Sequence, residues 1–511
     1  VAHATHRTPR VGAEASDSGN VDRVSVSQMT PDQQAEDRSF LGQPRTLASL
    51  FGVEMWERFS FYGMQGILLL YLYYATADGG LGIDQGVAAG IVGAYGGGVY
   101  LSSILGAWLA DRVLGPERTL FCSAIVVMAG HVALSVLPDV TGVTVGLLLV
   151  ALGSGGVKAN ATSLVGSLYA EGDERRDAGF SLFYMGINIG ALVGPLLTGL
   201  FQKTWGFHAG FALAAVGMAA GLVQYAVGRR GLPAETHHVP HPLPPSARAT
   251  YGLGAVVAVA AVVALVLADV VTAERLADQV ALVVVVASVA YFAVILGSRR
   301  VDATEKSRVW AFVPLFVTNA VFWSLYQQQF TVVTIYSDQR LDRTLFGWEM
   351  PVSWVNSINP VFVIVLAGAF AALWTRLGER QPATPVKFAL GTVLMGVAFW
   401  LFLLMPSGAG AAPLLGLAGI LLVFTLAELL ISPVGLSLST KLAPAAFRTQ
   451  MVALYFLSVA LGTTMSGRLA EYYDPTDERG FFLLIGGVAV AVGLLVLVAN
   501  RPIRKLMAGV H

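Results

Sequence analysis

Apolar residues in this chain come in long blocks rather than in alternating stripes. A helix needs about 20 apolar residues to cross a bilayer, and the blocks predict 14 spans. Six lie at about 46–74, 86–112, 117–137, 142–169, 177–202 and 207–228. Two more lie at about 251–271 and 277–297, and the last six at about 308–337, 350–378, 385–405, 411–440, 447–472 and 480–500. The polar stretch 1–45 has no apolar core behind a basic start, so it reads as a disordered tail rather than a signal peptide. A Pro- and His-rich linker occupies 229–250, and 501–511 is a short tail. The pair at 251–297, rich in Val, Ala, Leu and Gly, reads as plain lipid-facing helices.

Composition agrees. Of 511 residues 55% are hydrophobic and 13% charged, against about a quarter charged in soluble proteins. Mean hydropathy is +0.67. These values exclude a soluble enzyme, a disordered protein and a nucleic-acid binder, which needs a basic face. A single cysteine, Cys122, excludes a disulfide framework. The expectation is an all-α polytopic membrane protein, with the lipid bilayer as its principal partner.

Loop charges orient it. One alternate set of loops, with the C-terminal tail, holds 19 Lys and Arg, among them Arg112, Arg118, Arg229, Arg248, Arg448 and Lys505. The other set holds five: Lys203, Arg275, Arg340, Arg343 and Arg479. The positive-inside rule puts the first set, and both termini, in the cytoplasm. The linker histidines His237, His238 and His241 read as part of a solvated segment, since nothing nearby completes a metal-ligand set.

A six–two–six plan suggests two halves moving about a central site. Gly106-Ala107-Trp108-Leu109-Ala110-Asp111-Arg112 resembles the G-x-x-x-[DA]-D-R loop of the major facilitator superfamily. Gly186, Gly190 and Gly194 recur every four residues, a pattern that lets two helices approach closely.

Intramembrane charge is costly and marks ion or substrate paths. Glu54, Glu57 and Arg58 share one face of the first span, and Tyr62 and Gln65 continue it. Two carboxylates beside one guanidinium leave one carboxylate to pair with Lys158 across a cavity, and the four charges sum to zero. Protonating a glutamate there would release its cation; a static ion cluster is the other reading. Glu428, with Ser432 one turn on, has no cation near it in sequence. It faces water or a cationic ligand, or else is a protonated core residue. Tyr100, Asn188, Trp323, Gln327 and Asn359 are further inward polar candidates, each also readable as a helix-packing residue. Gly153-Ser154-Gly155-Gly156-Val157-Lys158 lacks phosphate-loop spacing. No nucleophile–base set for an embedded enzyme is present.

Glu54-Met55-Trp56-Glu57-Arg58-Phe59-Ser60-Phe61-Tyr62 resembles the E-x-x-E-R-F-x-Y-Y motif of the proton-dependent oligopeptide transporters. Two further stretches are similar to that family's signatures. One runs from Leu152 to Lys158 and on through Asp177–Asn188; the other is Glu428–Ser437. The resemblance covers about 46–500 and implies the major facilitator fold in its bacterial form, two pseudo-symmetric six-helix bundles plus a two-helix insertion. It implies a symporter importing di- and tripeptides with protons by alternating access across the bacterial cytoplasmic membrane. No cofactor other than the coupling proton is expected, and the chain is expected to act as a monomer.

By that resemblance, Glu54, Glu57, Arg58 and Lys158 couple protons, and Arg58 and Lys158 face the peptide carboxylate. Glu428, helped by Asn188 and Asn359, takes the amino group, and Tyr62, Tyr100 and Trp323 line the pocket. Gln65, Gln327, Ser432 and Tyr455 complete the expected substrate contacts. The chain departs from the family at Phe61, which lacks a tyrosine hydroxyl, and at Gln65 and Gln327, where many members carry an arginine and an acid. Tyr455 replaces a tryptophan, and Gly93 stands where animal members have a histidine. A carrier of another solute on the same fold, such as nitrate or a peptide-like drug, is the main rival. A peptide sensor would need a signalling domain for which neither end has room.

Overall fold

The computed structural model describes residues 37–170, 172–406 and 408–510. Six helices form the first half: α1 (Arg45–Tyr73), α2 (Gln85–Leu109), α3 (Pro116–Val136), α4 (Asp139–Gly166), α5 (Arg176–Trp205) and α6 (Phe207–Gly228). Two follow as an insertion, α7 (Pro245–Leu267) and α8 (Leu276–Gly297). The second half comprises α9 (Ala303–Tyr326), its continuation α10 (Val332–Gln339), α11 (Ile358–Leu377), α12 (Thr384–Leu401), α13 (Leu414–Lys441), α14 (Arg448–Ala470) and α15 (Glu478–Val498). A short α16 (Asn500–Leu506) ends the chain, and a two-residue hairpin, β1 (Thr344–Leu345) with β2 (Trp348–Glu349), caps the loop before α11. Thirteen of these helical segments are long and apolar enough to cross a membrane. The fourteenth span is the 29-residue α1, whose length suffices but which carries Glu54, Glu57 and Arg58.

The structure corrects the sequence reading in four places. Within the expected tail 1–45, residues 37–44 form a built turn, while 1–36 lie outside the described residues. The Asp37 carboxylate accepts the backbone N–H of Ser39 and of Arg45 (3.1 and 2.9 Å), and Arg175 donates to the Asp37 carbonyl (3.0 Å). Desolvation pushes that carboxyl up, but the hydrogen bonds from Arg45 and Ser39, with the Arg45 charge, together outweigh it and hold the group below its ordinary value.

The second correction concerns 308–337, which is not one continuous helix. After α9 the backbone tightens into a 3-10 turn at Gln327–Phe330 before α10 resumes. Likewise 352–357 is a 3-10 segment leading into α11. Broken backbone at membrane depth persists only where protein or a cavity satisfies it.

Third, the linker is not simply solvated. The His241 ring pairs with Asp111 (2.7 Å), and its backbone N–H donates to the Asp111 carbonyl (2.9 Å). His237 meets Glu117 at 3.1 Å beside Arg229 at 2.5 Å. These contacts fasten the linker to Asp111 and to the first turn of α3. Among the described residues no cluster could hold a metal.

Fourth, only one insertion helix is plainly lipid-facing. α7 buries no residue, whereas α8 buries Ala277, Val284, Ser288 and Ile295, and Asp278 pairs with Arg468 of α14 at 3.1 Å.

Glycines set the closest approaches. A Cβ on Gly190 of α5 would stand 2.2 Å from the Met55 carbonyl of α1, and one on Gly194 2.4 Å from that of Phe59. Between the halves, a Cβ on Gly93 of α2 would lie 2.6 Å from Gly467 of α14. The backbone of α14 fills the space that a side chain at Gly93 would need.

Candidate functional site

The charged face of α1 is held by its own helical spacing. Arg58 Nε lies 2.9 Å from Glu54 Oε1 and 3.0 Å from Glu57 Oε2. Glu57 is wholly buried, and its Oε1 accepts from the Ser154 hydroxyl of α4 at 2.9 Å. The expected Glu–Lys158 pair is not formed. Arg58 Nε stands between both carboxylates, and the Lys158 ammonium lies 3.9 Å above the Tyr100 ring, an attraction of the cation–π kind. Lys158 makes no ion pair among the described residues.

In the second half, Asn359 organises the acid. Its amide donates to Thr425 (2.9 Å) and more weakly to Glu428 (3.4 Å), while its oxygen accepts from Tyr326 (3.1 Å). Glu428 is buried and in no ion pair among the described residues.

These groups meet at one cavity of about 230 Å³ between the halves. Ten of the expected residues line it: Tyr62, Gln65, Tyr100, Lys158, Asn188, Trp323, Gln327, Asn359, Glu428 and Ser432. Glu54, Glu57 and Arg58 do not line it and stand behind it on α1. Arg58 turns its Nε to both carboxylates, the Phe61 ring lies 5.7 Å from its guanidinium carbon, and its Nη2 is buried without a hydrogen-bond partner. Tyr455 is also absent from the lining, since its ring is wedged against Gly435, where a Cβ would approach it to 2.6 Å. Asn188 donates to the Tyr184 carbonyl of its own helix (2.9 Å) and not to Glu428.

The cavity adjoins a second one through Lys158. Lys158 also lines a larger vestibule of about 640 Å³, with Asp111, Arg112, His241, Tyr291 and Arg448, at the end carrying the basic loops. At the opposite end the halves are fastened together. The Asp338 carboxylate accepts from Tyr73 (2.5 Å) and Tyr74 (2.7 Å), Gln339 donates to Gln85 (2.9 Å), and Lys203 contacts Glu349. The 3-10 segment before α11 adds bonds from Ser353, Trp354 and Ser357 to carbonyls of α5.

A family model for the POT family matches residues 117–482. The chain belongs to the POT family. It is 40% identical over 495 residues to the transporter YclF of Bacillus subtilis, with 96% of this chain and 99% of that one covered. It is 39% identical over 490 residues to a di-/tripeptide transporter of Lactococcus lactis, covering 93% and 99%. Among solved structures it matches a peptide transporter POT in complex with sulfate at TM-score 0.89 and 42% identity, covering 94% and 100%. The expected fold, two six-helix bundles with a two-helix insertion, is thus the POT architecture.

Several lining residues of this POT chain had not been singled out from sequence. Tyr326 donates to Asn359 and stacks on Phe322 (5.9 Å, 22°), and Phe330 stacks on Tyr62 (6.0 Å, 23°). Asn356, Gln329, Tyr184 and Thr463 add to the polar part of the wall. The run Gln327-Gln328-Gln329 inside an apolar span was the available signal, since three consecutive amides fit neither lipid nor a regular buried helix.

Proposed function

We propose that this POT-family chain is a proton-coupled symporter that imports di- and tripeptides across the bacterial cytoplasmic membrane by alternating access. One observation carries the reading. A cation on one half, Lys158, and an acid on the other, Glu428, wall the same small cavity without a partner ion among the described residues. A free peptide has an anion and a cation at its two ends and would bridge the halves. At about 3.3–3.6 Å per residue, two or three residues span such a gap. The cavity lies below the usual range of about 300–1,000 Å³ for drug-sized ligands, which argues against long peptides. The Lactococcus relative, a di-/tripeptide transporter, supports the same substrate class.

In this reading Lys158 receives the peptide carboxylate and Glu428, steadied by Asn359, its ammonium. Glu57 takes the coupling proton. Once neutral it loosens its hold on Arg58, and the cluster's charge balance shifts towards Lys158. No cofactor besides the proton is involved. The basic loops and both termini are cytoplasmic, so the conformation here is inward-open, with its outer end shut by Asp338.

The test is uptake of a labelled dipeptide into proteoliposomes. Acid outside and a negative interior should each drive it. The potential supplies about 2.3 kcal/mol per charge per 100 mV, and a zwitterionic peptide gains none of this, so voltage dependence must come from the proton. Uptake indifferent to both gradients would overturn the symport reading.

A further inference from the structure

The outer roof of the cavity carries polar chemistry that the charged groups do not use. Gln65 comes from α1, Gln327 from the turn where α9 breaks, and Asn356 from the 3-10 segment before α11. They are 5%, 8% and 6% exposed, and the side-chain oxygen of each is without a hydrogen-bond partner. All three line the cavity. Gln65 and Gln327 do not bond each other, because such a bond would engage one of the two oxygens. Trp323, one turn before Gln327, likewise aims a buried, unpartnered indole N–H. Asn356 closes over α1 beside Gln65: its amide nitrogen would lie 3.5 Å from a Cβ on Gly66.

On α1 the roof lies beyond the charged cluster. Gln65 is seven residues beyond Arg58, about 10 Å along the helix. A peptide held between Lys158 and Glu428 shares its cavity with these three amides, so a side chain directed towards them meets Gln65, Gln327 and Asn356. Buried amides are satisfied by a partner that both gives and accepts hydrogen bonds. An apolar side chain would strip water from three carbonyl oxygens and return nothing. A cationic one would meet those oxygens but no counter-charge.

We propose that Gln65, Gln327 and Asn356 form a neutral amide subsite that selects peptides with a glutamine or asparagine side chain over apolar side chains of the same size. The inference rests on the peptide-transport reading and names a preference within it.

The experiment uses the full chain in proteoliposomes and competes labelled dialanine counterflow with Ala-Gln, Gln-Ala, Ala-Met, Met-Ala and Ala-Lys. Methionine matches glutamine in length without its amide. At least one glutamine peptide should inhibit at a concentration about five-fold or more below its methionine counterpart, and Ala-Lys should fall behind Ala-Gln. The glutamine preference should shrink in both Gln327→Leu and Asn356→Leu, two variants that fail independently if one does not fold. Equal inhibition by glutamine and methionine peptides, a stronger effect of Ala-Lys, or an undiminished preference in both variants would each overturn the subsite. Dialanine uptake separates this from failure of the underlying reading: if dialanine itself is not carried, the peptide-transport proposal falls, and the subsite with it.

Discussion

Neutralising Asp338 should unlatch the outer end. Its carboxylate takes two phenolic hydrogen bonds from the other half, from Tyr73 at 2.5 Å and Tyr74 at 2.7 Å, with Arg343 at 3.8 Å. A hydrogen bond to a charged group contributes about 1.5–3 kcal/mol net. Asp338 is 13% exposed, so solvent screens it only in part and the lower figure applies to each bond. Asparagine keeps one acceptor oxygen at neutral strength, which leaves a loss of about 1–2 kcal/mol. At about 1.4 kcal/mol per factor of ten, the ratio of outer-open to outer-shut molecules rises about 5- to 30-fold. The chain has one cysteine, Cys122, so a Cys122→Ser background makes thiol labelling clean. With Ser432→Cys added on the cavity wall, a membrane-impermeant maleimide supplied from outside to right-side-out vesicles reports opening. While the open form is the minor one, labelling rate follows its population. Asp338→Asn should raise that rate by the factor above, and Tyr73→Phe with Tyr74→Phe should do so as well. Unchanged rates in both variants would refute the claim that this contact holds the outer end shut.

Glu57→Gln, which imitates a permanently protonated carboxyl, should abolish pH-driven accumulation of a dipeptide but leave counterflow exchange; accumulation at the wild-type level would remove Glu57 from the coupling route. Glu428→Gln should weaken binding of a peptide with a free amino end about ten-fold or more, since a buried ion pair deprived of one partner is costly. An N-acetylated dipeptide should lose little, and equal losses for both ligands would make Glu428 a structural or proton-handling group. Gly190→Ala should drive α5 from α1, where the new Cβ meets the Met55 carbonyl at 2.2 Å. The cost should be about 1–3 kcal/mol of overpacking, read as a lower unfolding temperature in detergent; Gly252→Ala, with nothing within 4 Å, should leave that temperature unchanged.

Much of this was legible because local rules decide it. Apolar blocks announced the spans, and i, i+4 spacing placed Arg58 on Glu54. Lys158 and Glu428 stood out because charge inside an apolar block needs a reason. What escaped depended on distant neighbours. The pairing of His241 with Asp111 crosses 130 residues, and no periodicity encodes it. Lys158 had two possible partners, a carboxylate and an aromatic face, and only the fold shows that Arg58 had already engaged the carboxylates. Tyr455 shared the polar character of its neighbours in the site, but Gly435 opened a notch that drew its ring out of the cavity wall. The second insertion helix is as apolar as the first, yet Asp278 found Arg468 while the first helix buries no residue.

That solitary helix differs from every other span in how much its letters mean. From Tyr251 to Val270 each residue of α7 and the turn after it is exposed, and apart from Tyr251 against Trp108 no ring of this stretch meets another. Transfer into hydrocarbon depends on how many methyl and methylene groups enter, not on their order. Shuffling the Val, Ala and Leu residues of 253–267 therefore leaves the free energy of insertion almost unchanged, whereas shuffling α8 would displace Val284, Ser288 and Ile295 from their packing. One half of the hairpin is written almost in composition alone, while the other is written in sequence. A reporter group introduced along α7 would sense the bilayer with little disturbance to the transporter that carries it.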